Sequence, residues 1–167
     1  MVRAKSDVTE IITKYSDTVF KLAFVYVKNR STAEDISQNV FIKYMESADK
    51  CFESDEHLKA WLLRVTINEC KKNFRSLWTR KTDLYSTDEL SMLVNTPVQT
   101  ECYEPLLEAL MKLPKKYNLV IHLYYYEELS IKEISSMLHR KENTVMSDIH
   151  RARGLIKEYL EDRNYDR

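Results

Sequence analysis

The stretch SIKEISSMLHRKENTVMSDIHRARGLI, residues 130–156, decides the fold that we predict for the second half of the chain. Ser130 and Glu133 have the spacing of a capping box, in which each side chain binds a free backbone N–H of the first helical turn. Apolar residues at helical spacing follow, and after a break at 139–141 a second apolar stripe begins with Val145 and Ile149. This pattern predicts a helix-turn-helix.

The second helix of this motif carries a polar, cationic face opposite its apolar stripe. The residues concerned are Met146, Ser147, His150 and Arg153 on the face, Glu142 and Asn143 at the tip, and Arg140, Lys141, Arg151 and Lys157 on the flanks. Such a face suits the major groove of DNA, where the tip reads base edges and the cations hold phosphates. The same pattern also fits an ordinary amphipathic hairpin with a solvated charged face, so the rest of the chain must decide.

The composition favours a folded, all-α protein. The 167 residues are 44% hydrophobic and 31% charged, with a single Gly and three Pro, so turns of the β type are scarce. No apolar run approaches the roughly 20 residues of a membrane span, and the charged N-terminal sequence MVRAKSDVTE has no signal-peptide core. We therefore expect a cytoplasmic protein without membrane insertion.

The three cysteines are far apart and form no metal-binding motif. We expect reduced thiols, no metal ion and no cofactor.

The net charge of zero is a sum of unlike parts. Residues 31–56 carry seven acids against two bases, residues 71–81 carry five bases and no acid, and residues 140–157 carry five bases against two acids. Non-specific affinity for DNA comes mainly from counterions that cationic side chains release. A chain with this balance should bind DNA poorly by itself and should need a partner to deliver it.

Helical periodicity in the first half begins at Val8 and predicts a helix that ends at 29–30. Ser31 and Glu34 then have the spacing of a second capping box, which predicts a helix through about Ser47. Its inward positions would be Ala33, Ile36, Val40 and Tyr44. Its outward face, with Glu34, Asp35, Gln38 and Glu46, is acidic, and is either simply solvated or a docking surface for a basic protein.

A loop at 48–57 surrounds the single aromatic Phe52 and precedes a long helix that starts near Leu58. This helix carries two adjoining apolar stripes, in which we expect Trp61 and Phe74 to be core residues. Between the stripes lies a polar strip formed by Asn68, Lys71, Lys72 and Arg75. An amide and three cations near an aromatic loop can bind a nucleic-acid backbone and hold an unstacked base.

The predicted architecture is therefore two small helical domains, at 1–78 and 103–167, joined by a flexible linker at 79–102. The linker is rich in Ser and Thr and has no sustained period, although the spacing of Leu90, Leu93 and Val94 leaves room for a short helix before Pro97. The second domain would contain four helices, of which the last two form the helix-turn-helix.

Three segments together resemble the extracytoplasmic-function (ECF) sigma factors of bacteria. They are AEDISQNVFIKYMES at 33–47, KAWLLRVTINECKKNFRS at 59–76 and SIKEISSMLHRKENTVMSDIHRAR at 130–153, and the likeness covers about residues 8–78 and 103–160. The resemblance implies a non-catalytic promoter-specificity subunit of RNA polymerase. Its first domain would dock on core polymerase and open the minus-ten element, and its second would bind the minus-thirty-five element of promoter DNA.

The resemblance also implies roles for individual residues. Asp35, Gln38 and Asn39 correspond to the polymerase-docking surface. The loop from Phe52 to Asp55 would receive a flipped base, with Asn68, Lys71, Lys72 and Arg75 contacting minus-ten DNA. Glu142, Asn143, Met146 and Ser147 would read the minus-thirty-five element. Family members are commonly held inactive by an anti-sigma factor, so a partner of this kind is implied as well.

Three residues depart from the family's pattern. Lys72 stands where many members carry Asp, Asn143 replaces a common Gly and adds a side chain that can pair with adenine, and Asp148 replaces a common Arg. Because phosphate would repel an acid, we expect Asp148 to lie on the helix flank and to pair with Arg151.

Two rival functions remain at this point. An autonomous helix-turn-helix regulator would explain only the second half of the chain, and a purely protein-binding module, such as an anti-sigma factor or adaptor, would bind no DNA. An enzyme fits least, because the sequence has no Gly-rich phosphate loop and no metal-ligand motif.

Overall fold

The computed structural model describes residues 5–47, 49–76 and 104–165, and within these ranges the chain is helical with short connections and no strand. The helices form two compact units, one in each half of the chain. This confirms the predicted all-α, two-domain fold. The predicted linker at 79–102, with its optional short helix, lies outside the described residues, so the domain limits 1–78 and 103–167 stay predictions.

The first unit is a bundle of three helices, α1 (Lys5–Val27), α2 (Arg30–Glu46) and α3 (Asp55–Ser76), and each packs against the other two. Apolar side chains at helical spacing meet in its core, which is why each helix is buried along one stripe. The predicted inward positions of α2 are confirmed as buried. The most deeply buried side chains include Val19, Leu22, Phe24, Ile36, Val40, Tyr44, Leu62, Leu63 and Ile67.

The connection between α1 and α2 differs from the prediction. Lys28 ends α1 with a positive φ of 53°, and Asn29 then caps α2 by accepting the Thr32 N–H on its side-chain oxygen at 2.9 Å. The predicted capping box of Ser31 and Glu34 is therefore wrong. Asn caps a helix as well as Ser does and comes earlier in the chain, so Ser31 already lies inside the first turn.

The start of α3 also lies earlier than predicted, at Asp55 rather than near Leu58. The Ser54 hydroxyl accepts the backbone N–H of His57 at 3.1 Å, which satisfies one of the free donors of the first turn. Asp55 and Glu56 occupy that turn, where the positive end of the helix dipole favours carboxylates. Asp55 is thus a helical residue at the edge of the loop.

The second unit contains α4 (Glu104–Lys112), α5 (Lys115–Ile121), α6 (Ile131–Leu138) and α7 (Glu142–Tyr165), and a π-helical turn over His122–Tyr126 continues α5. The long α7 packs against the other three helices. Its C-terminal part is tied to α4 because the Tyr159 hydroxyl donates to Glu108 Oε2 at 2.8 Å. The predicted four-helix unit is confirmed.

The helix-turn-helix at 130–156 is formed as predicted by α6 and α7. The Ser130 hydroxyl accepts the Glu133 N–H at 3.2 Å, while Glu133 Oε2 accepts the Ser130 N–H at 2.8 Å, so both halves of the capping box are present. His139 ends α6 in the left-handed region with a φ of 53°. Buried residues on the facing sides are Ile134, Met137, Leu138, Val145, Ile149 and Ala152.

Candidate nucleic-acid interface

The outer face of α2 combines acidic, amide and apolar side chains. Asp35, Gln38 and Asn39 are all exposed on it, as predicted. Ile42 and Met45 are 45% and 48% exposed, which the sequence reasoning missed. The signal was there, because Ile42 continues the spacing of three and four residues that relates the polar positions. This set of five residues, the α2 face, is an exposed apolar patch with a polar and acidic border.

The polar strip of α3 lies on one side of that helix. Asn68, Lys72 and Arg75 are exposed and Lys71 is half-buried. Phe74 is 42% exposed, so its prediction as a core residue is wrong. Phe74 continues the stripe of the buried residues Leu63, Ile67 and Cys70, but it lies in the last turn of α3, which ends at Ser76, and the bundle no longer covers it there. An exposed aromatic ring therefore lies one helical turn from Lys71.

A shallow cavity of about 190 Å³ lies between α2 and α3, lined by Ile36, Asn39, Glu69, Lys72 and Asn73. The cavity brings together Asn39 and Lys72, which the sequence assigned to two separate surfaces.

The two helices are also joined by a charged pair. Lys43 of α2 donates a hydrogen bond to Glu69 of α3, whose side chain is only 8% exposed. A carboxylate at this depth needs a charged or polar partner. The helices that carry the α2 face and the α3 strip are thus joined by an ion pair and line one shared cavity.

The loop before α3 is built on a cluster of aromatic rings. Phe52 is half-buried, and its ring meets Trp61 edge-on at 5.5 Å and His57 at 5.5 Å between centroids. Tyr44 of the core lies 6.3 Å from both Phe52 and Trp61. Trp61 is itself half-buried rather than a fully buried core residue as predicted, and it is the support against which the loop aromatic packs.

Asp55, at the end of this loop, is held by α1. Lys14 Nζ donates to Asp55 Oδ2 at 2.5 Å, and the Tyr15 hydroxyl donates to the Asp55 carbonyl at 3.4 Å. The Lys14 ammonium lowers the pKa of Asp55, and the same contact raises the pKa of Lys14. Burial, with a smaller effect of Asp55, raises the pKa of Tyr15 to about 12. The carboxylate predicted to meet DNA is thus already ion-paired, which the sequence did not indicate.

The predicted recognition face of α7 is exposed to solvent. Its exposed members, with Lys141 just before the helix, are Lys141, Glu142, Asn143, Met146, Ser147, His150, Arg151 and Arg153. The Ser147 hydroxyl donates to the backbone carbonyl of Asn143 at 2.8 Å, so its proton is used within the helix. The tip of the helix therefore exposes the Asn143 side-chain amide and the Glu142 carboxylate.

Two cations of α7 meet tyrosines of the neighbouring helical segment. Arg153 Nε donates to the hydroxyl of Tyr125 at 2.5 Å, and its guanidinium lies 5.3 Å from the centre of that ring. Arg151 lies beside Tyr117 and lowers the pKa of that phenol. Tyr125 thus orients the Arg153 guanidinium on the recognition face, and Tyr117 lies beside Arg151 on its flank.

Asp148 does not lie where the sequence reasoning placed it. It is buried, at 5% exposure, on the inner side of α7 between Val145 and Ile149, and it pairs with Arg140 rather than with Arg151. Arg140 Nη1 donates to Asp148 Oδ2 at 3.2 Å. The prediction of a pair with Arg151 is wrong because a buried carboxylate needs a partner that reaches the interior, and the turn at 139–141 supplies one.

No helix in the described ranges is long and apolar enough to cross a membrane. The described residues also contain no group of three or more His, Cys, Asp or Glu arranged to hold a metal ion.

Comparison with known proteins identifies the family. The models of Sigma-70 region 2 and Sigma-70 region 4 match residues 11–80 and 103–156. The chain is 30% identical to the ECF RNA polymerase sigma factor SigW of Bacillus subtilis, over 92% of this chain and 88% of that protein. It is 27% identical to the RNA polymerase sigma factor SigV of the same organism, over 87% of this chain and 86% of that protein.

Solved structures show the same fold. The sigma factor RpoE from Bartonella quintana, in complex with the anti-sigma factor NepR, matches with a TM-score of 0.73 at 19% identity, over 93% of this chain and 97% of that one. CnrH, in complex with the cytosolic domain of CnrY, matches with a TM-score of 0.64 at 17% identity, over 95% of this chain and 90% of that one. With two sigma regions in order and relatives aligned over most of their length, the chain belongs to the ECF sigma factors, which direct the initiation of transcription by RNA polymerase.

Proposed function

We propose that the chain binds core RNA polymerase through the α2 face and binds promoter DNA through two separate surfaces. Neither surface is sufficient by itself for promoter binding. The observation that carries this proposal is the separation of charge. An acidic and apolar face on α2 adjoins a cationic strip on α3, and a second cationic face lies on α7 in the other unit.

The α2 face supports docking on a protein. Ile42 and Met45 expose apolar side chains beside Asp35, and exposed apolar patches with a polar border are typical of protein interfaces. The acid would complement a basic partner surface and fix the register of docking. Core polymerase is the partner that this family serves.

The α3 strip and the Phe52 loop support binding of the minus-ten element. Lys71, Lys72 and Arg75 would hold the phosphate backbone, and Asn68 would contact a base. The ring of Phe52, supported from behind by Trp61, would stack against an unpaired base, which contributes about 1–3 kcal/mol. This capture would offset part of the free-energy cost of melting the duplex.

The recognition face of α7 supports binding of the minus-thirty-five element as duplex DNA. Asn143 and Glu142 at its tip would meet base edges in the major groove, while Lys141 and Arg151 would hold phosphates. Asn143 can pair with adenine in two hydrogen bonds. This contact would distinguish the promoters of this chain from those of relatives that carry Gly at the position.

Three further parts of the proposal follow from family membership. The chain would act in the cytoplasm, where polymerase is, and would do no catalysis itself. An anti-sigma factor would hold it inactive, which is supported by the structural relative RpoE, whose structure is a complex with the anti-sigma factor NepR.

The proposal is tested by run-off transcription. The full chain is mixed with core polymerase on a promoter library, and we expect transcripts from one promoter class only when both proteins are present. Asp35→Lys should abolish binding to core polymerase in a pull-down, whereas Glu10→Lys makes the same charge change at an exposed position of α1 and should leave it intact. Transcripts from no promoter, or equal pull-down losses for both variants, would refute it.

A further inference from the structure

Arg140 is fixed by three contacts at the turn of the helix-turn-helix. Its backbone N–H donates to the Ser135 carbonyl at 3.1 Å, and its own carbonyl accepts from the Ser135 hydroxyl at 2.5 Å. Its guanidinium donates to Asp148 at 3.2 Å. Both the backbone and the side chain of Arg140 are therefore held by the protein itself.

The burial of Asp148 stabilises its pairing with Arg140. It is only 5% exposed and lies on the inner side of α7, where Val145, Ile149 and Ala152 are also buried. A carboxylate in such surroundings is costly to leave without a cation. Arg140, whose side chain is 33% exposed, is the cation that the structure gives it.

We infer that Arg140 and Asp148 form an internal clasp that withholds the Arg140 charge from DNA and fixes the turn at 139–141 against the second turn of the recognition helix α7. Sequence reasoning had counted Arg140 among the phosphate contacts, beside Lys141. The clasp makes these neighbouring cations unequal, because Lys141 is exposed and has its charge available to phosphate. Asp148 thereby acts as a positioning residue for the minus-thirty-five contact rather than as a contact itself.

The inference rests on the proposed function of α7, and the salt dependence of binding tests it. Each phosphate contact contributes about 0.9 to the slope of log affinity against log salt, which is about 3.5-fold in affinity between roughly 50 and 200 mM. Holoenzyme reconstituted from the full chain and core polymerase is titrated onto a duplex fragment that carries the minus-thirty-five element of a promoter found in the library.

We expect Lys141→Ala to reduce the slope by about 0.9 and Arg140→Ala to leave it unchanged. Asp148→Asn, which keeps the shape of the side chain, should release the guanidinium and increase the slope by about 0.9. The double variant Arg140→Ala with Asp148→Asn should lose that increase. Thermal unfolding of each variant shows that it is folded before its slope is compared.

The clasp would be overturned if Arg140→Ala reduced the slope as much as Lys141→Ala does. It would also be overturned if Asp148→Asn left the slope unchanged. Either result leaves the proposed function intact, because wild-type holoenzyme still binds. If wild-type holoenzyme does not bind the duplex, both the clasp and the proposed function fail.

Discussion

Replacing Phe52 by Leu should separate base capture from folding. The ring is half-buried against Trp61 and His57. Full removal of a buried Phe costs about 3–5 kcal/mol, so Phe52→Ala at a half-buried site should cost about 2 kcal/mol of folding free energy. Phe52→Leu keeps most of the apolar contact and should cost about 1 kcal/mol, yet both variants lose the aromatic face.

The assay is binding of holoenzyme to a fork-junction DNA whose minus-ten bases are unpaired. Loss of one stacked base, at about 1–3 kcal/mol, should weaken binding by roughly 5- to 150-fold in both variants. Phe20→Leu is the matched control, because Phe20 is also a half-buried Phe with an aromatic neighbour, Phe24, at 6.0 Å. It should lose similar stability and no affinity. Equal affinities for Phe52→Leu and Phe20→Leu would refute stacking on Phe52.

Four further substitutions test other parts of the structure. Ser130→Ala should cost about 1 kcal/mol in urea unfolding at neutral pH, because it removes a helix cap. The Ser130 hydroxyl and amide lower the pKa of Glu133 in the folded state, so this stabilisation is complete above the unfolded-state pKa and is lost as pH falls through the folded one; a penalty that stays constant through acid would contradict the cap. Leu62→Ala, at a fully buried site, should cost about 2–5 kcal/mol in the same assay, and a loss under about 1 kcal/mol would mean that the core is not as described. Asn143→Ala should change base preference at one or two minus-thirty-five positions in a binding selection, whereas Arg151→Ala should weaken binding on every sequence; identical profiles would remove the base-reading role.

Much of the fold was predictable because its signals are local. Ser130 and Glu133 lie within one helical turn, so their reciprocal hydrogen bonds depend only on spacing, and the capping box formed as expected. The inward residues of α2, such as Ile36 and Val40, were likewise readable from the helical period. Two helical units on either side of a polar stretch followed from the same periodicity.

The errors arose where several residues compete for one role. Ser31 and Glu34 have the spacing of a capping box, but α2 begins at Arg30 and its N-cap is Asn29. Asp148 was assigned a partner by spacing along its own helix, whereas the actual partner, Arg140, comes from the turn and is selected by burial. Phe74 continues a buried apolar stripe into the last turn of α3, and only the packing of the bundle decides how far along the helix that stripe is covered.

The site was predictable as a set of surfaces but not as a set of contacts. The recognition face and the α3 strip, apart from the half-buried Lys71, are exposed as expected, since charge and period together indicate a solvated face. The pairing of Asp55 with Lys14 was not foreseeable, because these residues meet only when α1 packs beside the loop. The exposure of Met45 likewise depends on which side of α2 the bundle covers.

The central claim is that this chain binds promoter DNA only when polymerase holds it. The most direct measurement is the affinity of the full chain for one promoter duplex at physiological salt, with and without core polymerase. With net charge zero and its cations divided between two units, the chain alone should bind no tighter than non-specific DNA binders, at roughly 10⁻⁴–10⁻⁶ M, and core polymerase should bring the affinity into the specific range, roughly 10⁻⁸–10⁻¹¹ M. Tight, sequence-specific binding by the chain alone would contradict the account and identify an autonomous regulator.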